Sequence, residues 1–289
     1  MGRRDYELNR RENASPKRKK VLSLSAQLEV NLSELTVNDY DKIAAVFDAA
    51  IGNDFANIIF DPCRQLLERL FGSDARIRHL DIACGTGEFL VRLAQVMTTE
   101  SFGIDLSRGQ IQQAMFRARR EKVNALFRVG DIRSVPFPRE CNVVTCNMDA
   151  LNHLPDVEDW QMVFRKVRTC LHKGGVFLFD VNTPLRLIRD WHSPEVIIKP
   201  DVTYVQCGLP LERSREFVRR KLLMQIFSRS NGKYTKASAL VQHLSISKPV
   251  LFRMLAAAGF ANASLRRMRS DLRARHIFMR NRIFVMAKA

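Results

Sequence analysis

Three acidic residues stand where short apolar runs end: Asp81 in IRHLDIA, Asp105 in SFGID and Asp131 in ALFRVGD. The first opens DIACGTGEF (81–89), a turn that carries Gly85 and Gly87. A glycine turn between a strand and a helix lets backbone approach a ligand closely. A dinucleotide site would complete GxGxxG, but Leu90 holds the third glycine's place. Asp81, just before the turn, would repel a phosphate and pair with an ammonium group. Asp105 lies twenty residues beyond Gly85, where a carboxylate can take both hydroxyls of a ribose. Asp131, beside Ile132, suits an adenine amino group with apolar packing on the ring. Each acid alone could equally cap a helix. Together they fit a nucleoside with a cationic, amino-acid-like arm and no phosphate. Further on, MDALNHL places Asp149 and His153 just past a fourth strand. Either could accept a proton from a reacting group, although a lone histidine is more often structural.

These residues need a sheet to align them, and the hydrophobic pattern supplies one. Strands are expected at 77–83, 101–105, 125–131, 142–148 and 176–182. Helices alternate with them at 87–97, 107–120 and 157–175, the last stopped by a glycine pair. Ser107 and Gln110 have capping-box spacing. Such alternation implies a parallel sheet with helices on both faces. Upstream, NDYDKIAAVFDAAIG (38–52) reads as a helix with Ile43, Phe47 and Ile51 on one face and Asn38 or Asp39 as cap. PCRQLLERLFG (62–72) reads as a second helix. After residue 182 the rhythm changes. Residues 221–246 hold two β-rich runs around Asn231-Gly232, a hairpin signal. A helix at 247–260, capped by Ser247, and strands at 263–268 and 282–288 complete the chain. The expected organisation is a basic, largely disordered tail over 1–37 and one domain over 38–289, with 183–246 inserted as a lid.

Composition narrows the class. The chain has 289 residues, is 46% hydrophobic and carries a net charge of +17. Residues 1–20 contribute eight Lys/Arg against three acids, and 261–289 eight against one. Such ends attract polyanions in a salt-dependent way without defining a nucleic-acid function. No apolar run approaches the ~18 to 20 residues of a membrane span, and the charged N-terminus lacks the apolar stretch of a secretory signal. The six cysteines stand singly, with no CxxC, so no metal site is expected and the thiols fit a reducing, cytoplasmic setting.

HLDIACGTGEFL, GIDLS, GDIRSVPF, CNVVTCNMDALNHL and LHKGGVFLFDVN, in that order and spacing, resemble class I S-adenosylmethionine-dependent methyltransferases. Among these the chain is most similar to small-molecule enzymes of the amino-sugar N-methyltransferase type, from about residue 38 to the end. The resemblance implies an α/β Rossmann-like fold whose seven-stranded sheet is mostly parallel, with RIFVMAK as its one antiparallel strand and an antiparallel lid insertion. It implies S-adenosyl-L-methionine as cofactor, with Asp81, Ala83, Cys84, Gly85 and Gly87 around the methionine arm. Asp105 would hold the ribose, Leu106 flank the adenine, Asp131 and Ile132 fix its edge, and Asn147 contact the arm near the sulfonium. YDKIAAVFD resembles the helix that closes over the cofactor, with Tyr40 facing it. Phe47 stands where that family commonly has a second tyrosine, so a hydroxyl there is lost. His153 and Tyr40 are then the candidate catalytic residues.

The missing motifs bear on the acceptor. There is no [DN]PP[YF] after the fourth strand, as a base-amine methyltransferase would need, and Cys146 is not preceded by proline. Both absences favour a small molecule with an N or O nucleophile. The aromatic and arginine-rich segment 183–246 could enclose a ring and hold an anionic group. An RNA- or ribosome-directed enzyme, favoured by the basic ends, and a non-catalytic interaction protein are the alternatives.

Overall fold

The computed structural model describes residues 35–266 and 279–289. In chain order the main elements are α1 (Asn53–Phe71), β1 (Ile77–Ile82), α2 (Glu88–Val96), β2 (Thr99–Asp105), α3 (Arg108–Arg120), β3 (Ala125–Val129), β4 (Cys141–Cys146), α4 (Val157–Cys170), β5 (Leu171–Asn182), α5 (Pro184–Ile188), β6 (Glu195–Ile198), β7 (Val202–Arg213), β8 (Phe217–Ser230), β9 (Lys233–Ile246), α6 (Lys248–Ala257), β10 (Asn262–Arg266) and β11 (Arg282–Lys288). Seven strands form one sheet in the order β10-β11-β5-β4-β1-β2-β3. β11 runs antiparallel to both its neighbours, and the other pairings are parallel. The expected seven-stranded, mostly parallel sheet is therefore present, and RIFVMAK supplies its antiparallel strand. The expected strand at 263–268 overlaps β10; residues 267 and 268, like the tail up to 34, lie outside the described residues.

Central strands of such a sheet are buried on both faces and read as continuous apolar runs. β1 and β4 are buried in this way although both carry polar side chains; two of these, His79 and Thr145, are 0% exposed. They touch each other, which is why both can be tolerated there.

β6 to β9 make a second, antiparallel sheet of four strands. The β8–β9 hairpin turns at Asn231 (φ +50°) and Gly232 (φ +74°), the left-handed pair that an Asn-Gly two-residue loop uses. One face packs Leu222, Met224, Ile226 and Val241 into the same core as α1. The other principal core, around Trp160, Phe164, Phe177 and Phe179, lies between α4, α6 and the large sheet.

Two expected boundaries differ. Helix α4 ends at Cys170, not at the glycine pair 174–175. Leu171 is already extended (φ −76°, ψ 137°) and pairs with Cys141. Between the pairs Cys141–Leu171 and Val143–Val176, residues 172–175 of β5 stand against Asn142 of β4, and Gly174, at φ +86°, lies in that bulge. The second difference is upstream. Instead of two helices, a continuous helical stretch runs over Tyr40–Phe71, opening as a 3-10 turn and passing through a π-helical turn at Asp48–Gly52. Pro62 lies inside α1. Phe55, Ile59, Cys63 and Leu67 make one buried stripe across it, and that burial outweighs the ~3 kcal/mol a helical proline costs. By composition this stretch is long enough to cross a membrane, but its apolar face is packed in the protein core.

Asn152 fastens the two sheets to each other. Fully buried, it donates to the carbonyls of Asn182 (3.1 Å) and Leu244 (2.9 Å) and accepts from the Asn182 N–H (2.9 Å). Asn152→Ala leaves these backbone groups unpaired, so we expect a loss of ~2 to 4 kcal/mol in denaturant unfolding.

Candidate functional site

Asp81 ends β1 at the crevice between β1 and β4, where strand order reverses and doubly wound sheets bind ligands. Its side chain is buried and accepts the Thr145 hydroxyl at 2.5 Å. Burial raises this carboxyl to about 7 despite the Thr145 bond, with Asp105 adding to the rise. In the turn that follows, Ala83, Gly85 and Gly87 take φ of +54°, +55° and +72°. At Gly87 a Cβ would also come within 3.0 Å of Ala114 on α3, so both conformation and helix contact call for glycine. The Gly85 N–H donates to Asp105 Oδ2 at 2.8 Å, and the Ser107 N–H to Oδ1 at 2.9 Å. Each oxygen keeps a lone pair for a further donor. Burial lifts Asp105 above the usual carboxylate range against these two bonds. Leu106, beside it, is 63% exposed.

Asp131 has a partner that spacing did not suggest. Arg133 grips it with its backbone N–H (2.8 Å), Nε (2.9 Å) and terminal nitrogen (2.6 Å), and holds the carboxyl below its ordinary value. Ser107 also departs from a full capping box. Its oxygen accepts the Gln110 N–H at 3.1 Å, but its hydroxyl donates to Asp41 at 2.5 Å, and Gln110 does not reach back.

Past β4, Asn147 carries a buried Nδ2 with no partner. Met148 and Asp149 both take left-handed φ, +59° and +51°. Two successive N–H groups in this conformation form an anion-binding concavity, which Asp180 of β5 fills, accepting from Met148 at 2.6 Å and Asp149 at 2.9 Å. Arg282 of β11 bridges the Asp180 and Asp149 carboxylates. Burial opposes the charge on Asp149, but Arg282 and then His243 outweigh it and hold that carboxyl well below its usual range. His243, from the β8–β9 hairpin, meets Asp149 at 2.8 Å.

His153 follows on the next 3-10 turn. Its Nδ1 lies 3.1 Å from the Gln242 carbonyl, which can only accept, so Nδ1 carries the proton. Nε2 then offers its lone pair to the Tyr40 hydroxyl at 2.9 Å. Burial, helped by His243, pushes the imidazole down to about 3, so it is neutral at physiological pH. Burial pushes the Tyr40 phenol well up.

The segment bearing Tyr40 is tied to every side of the crevice. Asn38 donates to the His153 carbonyl (3.2 Å) and accepts from the Gln242 N–H (2.8 Å). Asp41 receives Ser107 and the Gly109 N–H. Asp48, in the π turn, takes the Thr86 hydroxyl at 2.7 Å and pairs with Arg117, which also pairs with Glu88. Asn38 and Asp39 were expected as helix caps; neither gives a side-chain capping bond, and the Asn38 side chain is spent on Gln242 and His153 instead.

A cavity of about 470 Å³ lies under these contacts. All the candidate residues named from the sequence line it except Gly87, which lies behind its wall. Thr145, Gln242, His243 and Arg282 were missed. Only Thr145 had a visible signal, a polar residue in an apolar strand.

Comparison with known proteins meets this geometry. A methyltransferase domain model matches residues 80–175. In three dimensions the chain matches a S-adenosylmethionine-dependent methyltransferase from Clostridium acetobutylicum (TM-score 0.66, 20% identity, 86% of this chain and 98% of that one). It also matches the sugar N-methyltransferase KedS8 from Streptoalloteichus (TM-score 0.63, 20% identity, 89% and 96%). The chain has the fold of these class I methyltransferases, and residues 80–175 match a methyltransferase domain. In sequence it is 29% identical over 167 residues to the 27-O-demethylrifamycin SV methyltransferase of Amycolatopsis mediterranei, covering 52% of this chain and 61% of that protein. It is 31% identical over 153 residues to YqeM of Bacillus subtilis, named as a methyltransferase, covering 51% and 57%. The chain thus spans roughly half of the curated relatives it matches.

The buried carboxyl of Asp81 puts this site under electrostatic load. Asp81 has a folded-state value near 7 and an unfolded one near ~3.9. Its contribution to stability is therefore largest below the unfolded value and falls as pH rises to about 7. Asp81→Asn should make the ligand-free protein more stable by ~1 to 3 kcal/mol at pH 8, with no gain at pH 4, in unfolding curves at both values.

Proposed function

We propose that this protein transfers a methyl group from S-adenosylmethionine to a nitrogen or oxygen of a small molecule. The observation that carries this reading is one cavity lined both by the Asp81–Asp105 turn and by the Tyr40–His153 pair. The residues present fit the cofactor. Two buried carboxylates with raised values suit a cationic arm and a ribose diol, and the unpartnered Asn147 Nδ2 suits the arm's carboxylate. Ala83, Cys84 and Gly85 would present backbone to the arm, which Gly87 shapes from behind. Leu106 and Ile132 would hold the adenine ring, with Asp131 at its amino edge. When bound, the cofactor supplies a methyl group on a sulfonium, an already activated carbon with a neutral leaving group.

What remains for the chain is to orient the acceptor, exclude water and remove a proton. Orientation and exclusion supply much of the rate in such displacements. Tyr40 is positioned to take a proton from the acceptor on its oxygen while passing its own to His153 Nε2. The Gln242 carbonyl fixes the tautomer that makes this possible. Asp149 would stabilise the resulting charge.

The enclosing antiparallel sheet supports a small acceptor over a nucleic acid. Its buried arginines support an uncharged one over an anion. Arg186 is engaged by Glu195 and Asp190, and Arg220 by the carbonyls of Leu187 and Leu209. An amino sugar fits, as the name of KedS8 describes for that protein. A cytoplasmic setting fits the six free thiols.

Calorimetry on Asp105→Ala should show cofactor affinity reduced by ~1 to 3 kcal/mol, the range for charged hydrogen bonds; an unchanged affinity removes the ribose assignment. Tyr40→Phe and His153→Ala should each slow methylation of an amino-sugar panel by ~10²-fold or more while cofactor affinity stays within ~3-fold. Equal losses in both measurements would make the pair structural.

A further inference from the structure

Behind Asp81 lies a chain of two hydrogen bonds that methyl transfer as described does not use. His79 Nε2 is 2.7 Å from Thr145 Oγ1, and Oγ1 is 2.5 Å from Asp81 Oδ1. His79 and Thr145 are fully buried, Asp81 nearly so, and His79 Nδ1 has no partner. Threonine has a single hydroxyl proton, so the two bonds have a direction. When Asp81 is an anion, the hydroxyl must point at it, and Nε2 must donate its N–H to Oγ1. When Asp81 is protonated on Oδ1, that proton points at Oγ1, the hydroxyl turns to Nε2, and the histidine proton must move to the unpartnered Nδ1. The first arrangement leaves a lone pair without a donor; the second leaves a buried N–H without an acceptor, the rarer and costlier defect.

We propose that Thr145 and His79 form a relay that holds Asp81 as an anion, which makes Thr145 a positioning residue for the cofactor's ammonium group.

The relay works against everything else around that carboxylate. Asp105 faces it from β2, Cys84 from the turn, Cys63 from α1 and Cys146 from β4, and none of these carries a positive charge. His79 adds no charge either, since burial holds it neutral, down to about 3. It contributes an oriented N–H dipole, passed on by the hydroxyl. Donation to the charged form of an acid favours that form, whereas burial disfavours it. Without the relay the carboxyl would titrate higher, and near neutral pH more of the empty protein would hold Asp81 protonated and unable to pair with a cation.

This inference rests on the assignment of Asp81 to the ammonium group, and calorimetry with S-adenosylmethionine on the full chain tests the two separately. Affinities are measured from pH 6.5 to 9 for the wild type, Thr145→Val and Thr145→Ser. Taking each variant's Kd relative to wild type at the same pH removes the ligand's own titration. For a one-unit rise in the Asp81 value, the Thr145→Val ratio should be ~8 at pH 6.5 and fall to ~1 at pH 9. Thr145→Ser should stay within ~2-fold throughout. Should Thr145→Val not fold, His79→Leu removes only the far donor and should give a smaller ratio, ~2 to 3 at pH 6.5, with the same fall. A ratio that stays constant across pH would mean a merely structural hydroxyl and overturn the relay. Failure of the wild type to bind the cofactor at any pH would overturn the Asp81 assignment itself, and the relay with it.

Discussion

A carboxylate buried at the tip of a parallel strand, with a hydroxyl as its one bonded partner among the described residues, is the constraint on which the rest of the site depends. Asp81 is 2% exposed, and its neighbours include a second buried acid. An isolated ion in such a place costs several kcal/mol unless it is paired. Phosphate cannot relieve that cost; a cation can. The glycine turn beside it brings backbone close to the same crevice, and under the proposed function a ligand's positive arm would end at Asp81 with no pyrophosphate to fit on the helix behind it.

The same electrostatics explains why the segment before α1 is so heavily tied down. Asn38, Asp41 and Asp48 each bond a different wall: the β8–β9 hairpin, the start of α3, and the glycine turn with Arg117. A water-filled crevice would weaken every charge interaction inside it, because screening rises with local dielectric. Covering it with a helix whose polar residues are spent on the walls keeps the dielectric low without leaving polar groups orphaned. The π turn at Asp48–Gly52 belongs to this arrangement. One extra residue in a turn reorients the side chains that follow, which lets Asp48 reach Thr86 while Ile51 and Phe55 stay in the core.

Much of this was legible in the sequence because it is local. Strand tips, glycine turns and the alternation of periods are properties of consecutive residues, and they located the parallel sheet and its three strand-tip acids; the resemblance added the antiparallel last strand and most other candidates, and all the candidates but Gly87 line the cavity. What was not legible is long-range. Arg282 lies 133 residues from Asp149, and His243 lies 94 from it. Nothing in RIFVMAK or LVQHLSI announces which carboxylate each will meet. The helix boundaries failed for a related reason. Pro62 and the glycine pair at 174–175 are strong local signals, but the buried stripe on α1 and the pairing of Leu171 with Cys141 overrule them.

The side of the cavity that holds His153 and Asp149 is built so that its parts cannot move independently. His153 takes its tautomer from the backbone of β9, and the next residue of that strand, His243, reaches Asp149. Asp149 is held in turn by Arg282 from β11, and the strained backbone at Met148 and Asp149 is held by Asp180 from β5. Left-handed conformations at two successive non-glycine residues cost of order ~1 kcal/mol each and persist only where the surroundings over-determine them. Here three strands from two sheets do so. A displacement of the four-stranded sheet would release Gln242 and His243 together, and would loosen at one stroke the tautomer of His153 and a partner of Asp149. The position of that sheet and the hydrogen bonding of His153 and Asp149 are thus a single mechanical unit, anchored through Asn152 to the central sheet.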